Sequence, residues 1–225
     1  MKYPNAANGV RKIFISEIIA LSASVITVIV AVFAEAYIED SRMSIEFGVI
    51  SIIMLLIIAI YIAAYILQIV GIVRAGRDEP AFKVSLYSII AELIITVLSG
   101  FFYQNEAANM ILGIAGDVAQ FFLVHYIIHG IMHIADHMGK PEMTQKGKRI
   151  FIVIYTAIAF EIVVRIFEII YGHERGESLS LPFGIVANVL KTVENILFLI
   201  YIGKGNKILH EKKQHNSMDI KENKL

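Results

Sequence analysis

The sequence predicts an all-α, polytopic integral membrane protein with six transmembrane helices, arranged as three parallel helical-hairpin repeats. Three observations carry that expectation. The 225 residues are 57% hydrophobic and only 18% charged, with a mean hydropathy of +0.68, too apolar for a soluble domain of this size. Six apolar runs are each long enough, at about 1.5 Å per residue, to cross a hydrocarbon core of about 30 Å. Lysine and arginine are segregated: sixteen lie in the segments on one side of these runs and two, Arg42 and Arg175, on the other.

Residues 1–12, MKYPNAANGVRK, are polar and basic and show no small-residue cleavage pattern downstream, so they read as an N-terminal segment rather than a cleaved leader. The first span covers about 13–36, with Glu17 near its start, where its stem can snorkel. The second, about 47–73, is the most uniformly apolar and reads as lipid-facing scaffold, with Gln68 and tyrosines as its polar relief. Gly76 and Pro80 break the chain before a third span at 84–103 that carries Glu92 near its middle. The fourth, 110–137, holds Asp117, Gln120 and His125. The fifth, 150–171, places Glu161 at mid-depth with Arg165 one turn on, and Glu168 nearer its exit. Pro182 marks the expected start of the sixth span, 183–202, with Lys191, Glu194 and Asn195 at its centre. The tail, 204–225, is lysine-rich and polar, and its composition predicts disorder. Tryptophan is absent, so Tyr37, Tyr103 and Tyr171 are the expected interfacial belt.

The segregation of basic residues places both termini in the cytoplasm and the chain in the cell membrane. A faint internal repeat accompanies it. GVRKIFISEIIAL from Gly9 resembles KGKRIFIVIYTAI from Lys146, and Phe47, Leu112 and Phe183 each open a similar tetrapeptide at the head of an even-numbered span. Two-span units all enter and leave on one side, which makes them parallel repeats about an axis along the membrane normal.

The chemistry-bearing groups lie where lipid tolerates them least. Glu92, His125, Glu161 and Glu194 fall at similar depth on four spans, with Asp117, Arg165 and Lys191 within a few turns. Together with Gln120 and Asn195 they form the expected ligand set, in a cavity between spans three to six. Four carboxylates against two cations favour a proton, a metal cation or a small cationic solute. The competing reading is that these groups pair with one another and only glue helices together.

The fourth span also carries a histidine every fourth residue, His125, His129, His133 and His137, a slowly winding ridge on one helix. Such spacing lets His125, His129 and His133 act as metal ligands, and leaves a divalent metal such as zinc among the candidate cofactors. Cysteine is absent, which removes thiolate ligands and a cysteine nucleophile. A zinc-protease HExxH motif is missing its glutamate, since His129 and His133 enclose Gly130, Ile131 and Met132. Phosphate-binding loops and a global basic face for nucleic acid are absent. The sequence therefore favours ligand binding or transport without assigning a catalytic residue. An intramembrane metal-dependent enzyme is the runner-up, and a non-catalytic accessory or immunity-type protein with a partner subunit the third reading.

Overall fold

The computed structural model describes residues 3–38, 43–171 and 173–222, with side chains outside 35–48, 106, 165, 168–184, 188 and 211–222. Six helices follow in order: α1 Pro4–Ile38, α2 Met43–Ala75, α3 Ala81–Phe101, α4 Glu106–His137, α5 Pro141–Tyr171 and α6 His173–Glu222. Among the described residues no strand occurs. Among the described residues five helices, α1, α2, α3, α4 and α6, are both long and apolar enough to cross a bilayer, and α5 is itself 31 residues long. Side chains such as Val28, Phe33, Leu55 and Ile111 are more than 60% exposed, as an outer surface solvated by lipid requires. The protein is thus an all-α polytopic membrane protein.

The three hairpins expected from the repeat are the most closely packed pairs of the bundle: α1 with α2, α3 with α4, and α5 with α6. Contacts of α2 with α3, α4 with α5 and α6 with α1 close the six helices into a ring, and α4 also reaches α6. The α1 start, the α2–α3 turn and the α4–α5 turn share one end, called here the basic end after its lysines and arginines. Each even-numbered helix carries a glycine toward that end where a neighbour leaves no room for a Cβ. A Cβ on Gly71 would lie 2.9 Å from the Gly9 carbonyl oxygen, and one on Gly9 2.5 Å from that of Gly71, so α1 and α2 cross with their backbones touching. One on Gly130 would strike the Phe82 ring at 2.7 Å, and one on Gly205 the Ile131 side chain at 2.8 Å.

Turn chemistry sets the helix ends. Asn105 caps α4 by accepting from the Ala108 amide at 3.0 Å. The α4–α5 turn is a Schellman motif: Gly139 has φ +70°, its amide donates to Asp136 O, and the Lys140 amide donates to Ala135 O. Pro141 then starts α5, where its missing N–H costs nothing.

Several helices outrun the expected spans. α1 begins at Pro4 rather than near residue 13, because Asp78 of the α2–α3 turn accepts from the amides of Asn5 at 2.7 Å and Ala6 at 2.8 Å, and from Asn5 Nδ2 at 2.9 Å. That cap comes from 73 residues away and leaves no local signature. The α6 helix starts at His173, so Pro182 lies inside it rather than at its start, and it continues to Glu222 through the stretch whose composition predicts disorder. No proline follows Pro182, and the lysine, glutamate, glutamine and leucine beyond Ile202 are good helix formers.

The tightly packed core lies toward the basic end. Val10, Ile13, Ile72, Phe82, Ile127, Ile134, Tyr201 and Ile202 are at most 1% exposed and belong to one cluster.

Candidate functional site

Above this core, on the side away from the basic end, a cavity of about 170 Å³ opens between α1, α2, α3, α4 and α6. Its polar lining is Ser16, Glu17, Tyr61, Tyr65, Gln68, Glu92, Gln120 and Asn195, and Leu123, Val124 and Phe198 add apolar wall. At roughly 30 Å³ per molecule, a space of this size admits on the order of five waters.

The α1–α2 crossing explains two of these positions. Starting from the Gly9–Gly71 contact, Gln68 lies one turn away along α2 and Glu17 two turns away along α1, and Gln68 Nε2 donates to Glu17 Oε1 at 2.8 Å. Glu17 is thirteen residues into α1, about 20 Å along the helix. It is not a snorkelling residue at a span's edge. Tyr65 donates its hydroxyl to the Ile89 carbonyl at 2.7 Å, which pins α2 to α3 beside the cavity. Glu92 from α3 lies within electrostatic reach of both Glu17 and Lys191.

Next to the cavity sits an ion cluster joining three helices. Lys191 Nζ on α6 donates to both carboxylate oxygens of Glu161 on α5 at 3.3 Å, and lies 3.8 Å from Asp117 Oδ1 on α4. Helical spacing ties the two features together. Asn195 follows Lys191 by four residues and Gln120 follows Asp117 by three, so each cavity amide shares a helix face with a member of the cluster. Glu194, three residues from Lys191, is buried at 5% exposure.

Of the expected ligand set, then, Glu92, Gln120 and Asn195 line the cavity, while Asp117, Glu161 and Lys191 form the adjoining cluster, with Glu194 buried beside it. The Arg165 side chain lies outside the described residues. Two parts of the expectation change. The cavity is not confined to spans three to six: α1 and α2 supply Ser16, Glu17, Tyr61, Tyr65 and Gln68, so the second helix is not merely scaffold. His125 is not a cavity residue either. Its ring stacks on Phe151 with centroids 4.5 Å apart, and its Nδ1 lies 3.3 Å from the Tyr155 hydroxyl.

The expected metal set of His125, His129 and His133 does not assemble. Among the described residues no three histidine, aspartate or glutamate side chains converge as metal ligands. The ridge itself forms, but its members serve different neighbours. His129 is exposed and stands 6.2 Å, centroid to centroid, from His125. His133 Nδ1 meets Glu79 Oε2 at 2.6 Å, with Glu79 buried, and His137 Nδ1 lies 3.3 Å from the Tyr3 hydroxyl. The last two tie α4 to the α2–α3 turn and to the start of α1.

Glu17 and Gln68 are the site residues that sequence reasoning placed wrongly. Their signal was present: each is the one strongly polar residue on a long apolar face, and an amide facing a carboxylate in lipid is a natural pair.

No family model, no curated protein and no solved structure matches this chain.

Proposed function

We propose that this is a cell-membrane protein with both termini in the cytoplasm, and that its cavity binds or conducts a small cation or a proton. One observation carries the reading: Glu17 and Glu92, on different helices, face a single cavity with room for several waters deep in the bundle, and neither forms an ion pair with a described residue. Carboxylates at this depth are held as acids or neutralised by a bound cation. Lys191, the one cation at this depth among the described side chains, is already engaged by Glu161 and Asp117. Gln68, Gln120 and Asn195 offer oxygen acceptors to a cation, and the tyrosine hydroxyls can relay a proton. The orientation rests on the sixteen basic residues in the segments on one side of the spans, against two on the other.

The metal-dependent enzyme has no comparable support, since no three ligands converge among the described residues.

The test is reconstitution in liposomes containing a pH-sensitive dye, with a potassium diffusion potential imposed by valinomycin. Proton entry faster than in protein-free vesicles is expected, and Glu92→Gln or Glu17→Gln should return it to the protein-free rate. A parallel thermal-unfolding series with sodium, magnesium and tetramethylammonium covers a site that binds without conducting. A saturating ligand at about 100-fold its Kd adds about 2.7 kcal/mol. Absence of both a proton flux and a cation-dependent stabilisation sensitive to these two variants would overturn the proposal.

A further inference from the structure

The α2–α3 corner holds an unbalanced charge above an apolar groove. Arg74 lies in the last turn of α2, Arg77 in the connection and Lys83 in the first turn of α3, all three exposed. The same turn carries two carboxylates, but both are committed inward: Asp78 caps α1, and Glu79 meets His133. Arg74, Arg77 and Lys83 form no ion pair with any described residue. Three cations therefore face outward with no acid of their own.

Beneath them, α2 and α3 form the most sparsely packed of the sequential seams among the described residues. A groove of about 420 Å³ runs there, walled by Val73, Phe82, Leu86 and Tyr87 and rimmed by Arg77 and Lys83. A second of about 420 Å³ adjoins it along Ile69, Val70 and Val73, rimmed by Arg74 and Arg77. The two share Val73 and Arg77, so one cationic rim serves both. Both lie on bilayer-crossing helices at the basic end, where headgroups meet hydrocarbon. An apolar tail with an anionic head matches this shape and charge. A zwitterionic lipid would bring its own ammonium against three uncompensated cations.

We propose that the α2–α3 corner is a binding site for an anionic phospholipid, its headgroup phosphate held by Arg74, Arg77 and Lys83 and an acyl chain lying along Val73, Leu86 and Tyr87. The site is independent of the cation cavity and needs no cargo there. It also gives the loose seam a third wall, so the lipid acts as a structural component joining the first hairpin to the second.

The absence of tryptophan makes a direct test available. Val73, at 42% exposure, accepts a single reporter as Val73→Trp, and Leu55, at 66% exposure and five turns away, provides a control as Leu55→Trp. Each variant is reconstituted in phosphatidylcholine vesicles containing either brominated phosphatidylglycerol or brominated phosphatidylcholine at equal mole fraction. Quenching at position 73 should show a relative affinity at least about fivefold higher for phosphatidylglycerol, as expected for even one effective basic contact, and at position 55 no preference. Arg74→Gln, Arg77→Gln and Lys83→Gln together should abolish the preference, whereas Lys204→Gln with Lys207→Gln should leave it intact. Elution as a single species by size exclusion confirms that each variant is folded. Equal quenching by the two lipids at position 73 would mean annular contact only, and loss of preference in the Lys204 and Lys207 variant would mean diffuse attraction. Either result overturns the site.

Discussion

Replacing Lys191 with methionine tests whether the cluster at the cavity's edge is a real ionic joint between α4, α5 and α6. At 3.3 Å and an effective dielectric of about 20, the Lys191–Glu161 attraction is about 5 kcal/mol before desolvation. Removing one partner of a buried pair costs about 3–5 kcal/mol, while exposed pairs contribute about 0–1 kcal/mol. Here the lysine side chain is 30% exposed, Glu161 21% and Asp117 11%. An intermediate loss of about 2–3 kcal/mol is expected, or roughly 4–12 °C in melting temperature at the 2–4 °C per kcal/mol usual for this chain length. Thermal unfolding in detergent, followed by size exclusion, measures it. The decisive comparison is a double-mutant cycle with Glu161→Gln. Because that change removes the carboxylate Lys191→Met would strand, the double variant should be more stable than the sum of single losses predicts, by at least about 1 kcal/mol. Strict additivity would refute the reasoning, for it would mean that the two side chains do not sense each other.

Three further outcomes follow from the packing. Asp78→Ala removes the acceptor of three hydrogen bonds from Asn5 and Ala6, so it should cost about 1–2 kcal/mol and speed amide exchange over residues 5–8 while leaving the α2 interior unchanged. Gly9→Val forces a side chain against the Gly71 carbonyl; overpacking of this kind costs typically about 1–3 kcal/mol or more, and should appear as lost thermostability, whereas Gly100→Ala, with open space around it, should change little. A zinc-selective chelator, which leaves magnesium and sodium in place, should not change the melting temperature, because the described histidines and carboxylates do not converge in threes; a fall of several degrees would point to a bound transition metal.

Much of the fold was legible because hydrocarbon imposes a simple grammar. Apolar runs of span length, basic residues on alternate connections and a weak two-span repeat gave six helices paired as three hairpins, and those pairs are the ones that pack most closely. The polar residues of spans three to six were visible for the same reason, since a carboxylate or lysine in such a run is conspicuous. Lateral facing was not visible. His125 and Glu92 occupy similar depths in their spans, yet one stacks on Phe151 between α4 and α5 while the other lines the cavity. Depth can be counted along one chain, but rotation about a helix axis is fixed by neighbours. Glu17 was misplaced for a related reason: the first helix starts nine residues earlier than its apolar run, and what lets it start there is an aspartate on another hairpin.

That long-range cap has a consequence for how the chain is made. Asn5 and Ala6 emerge from the ribosome with the first helix, but their acceptor is synthesised 73 and 72 residues later, several seconds on at about 5–20 residues per second. During that interval the first two helices can insert and cross at Gly9 and Gly71, with the leading turn solvated by water beyond the bilayer. Only when the second connection is completed does the amino end become fastened, so the nascent protein finishes its first hairpin by beginning its second.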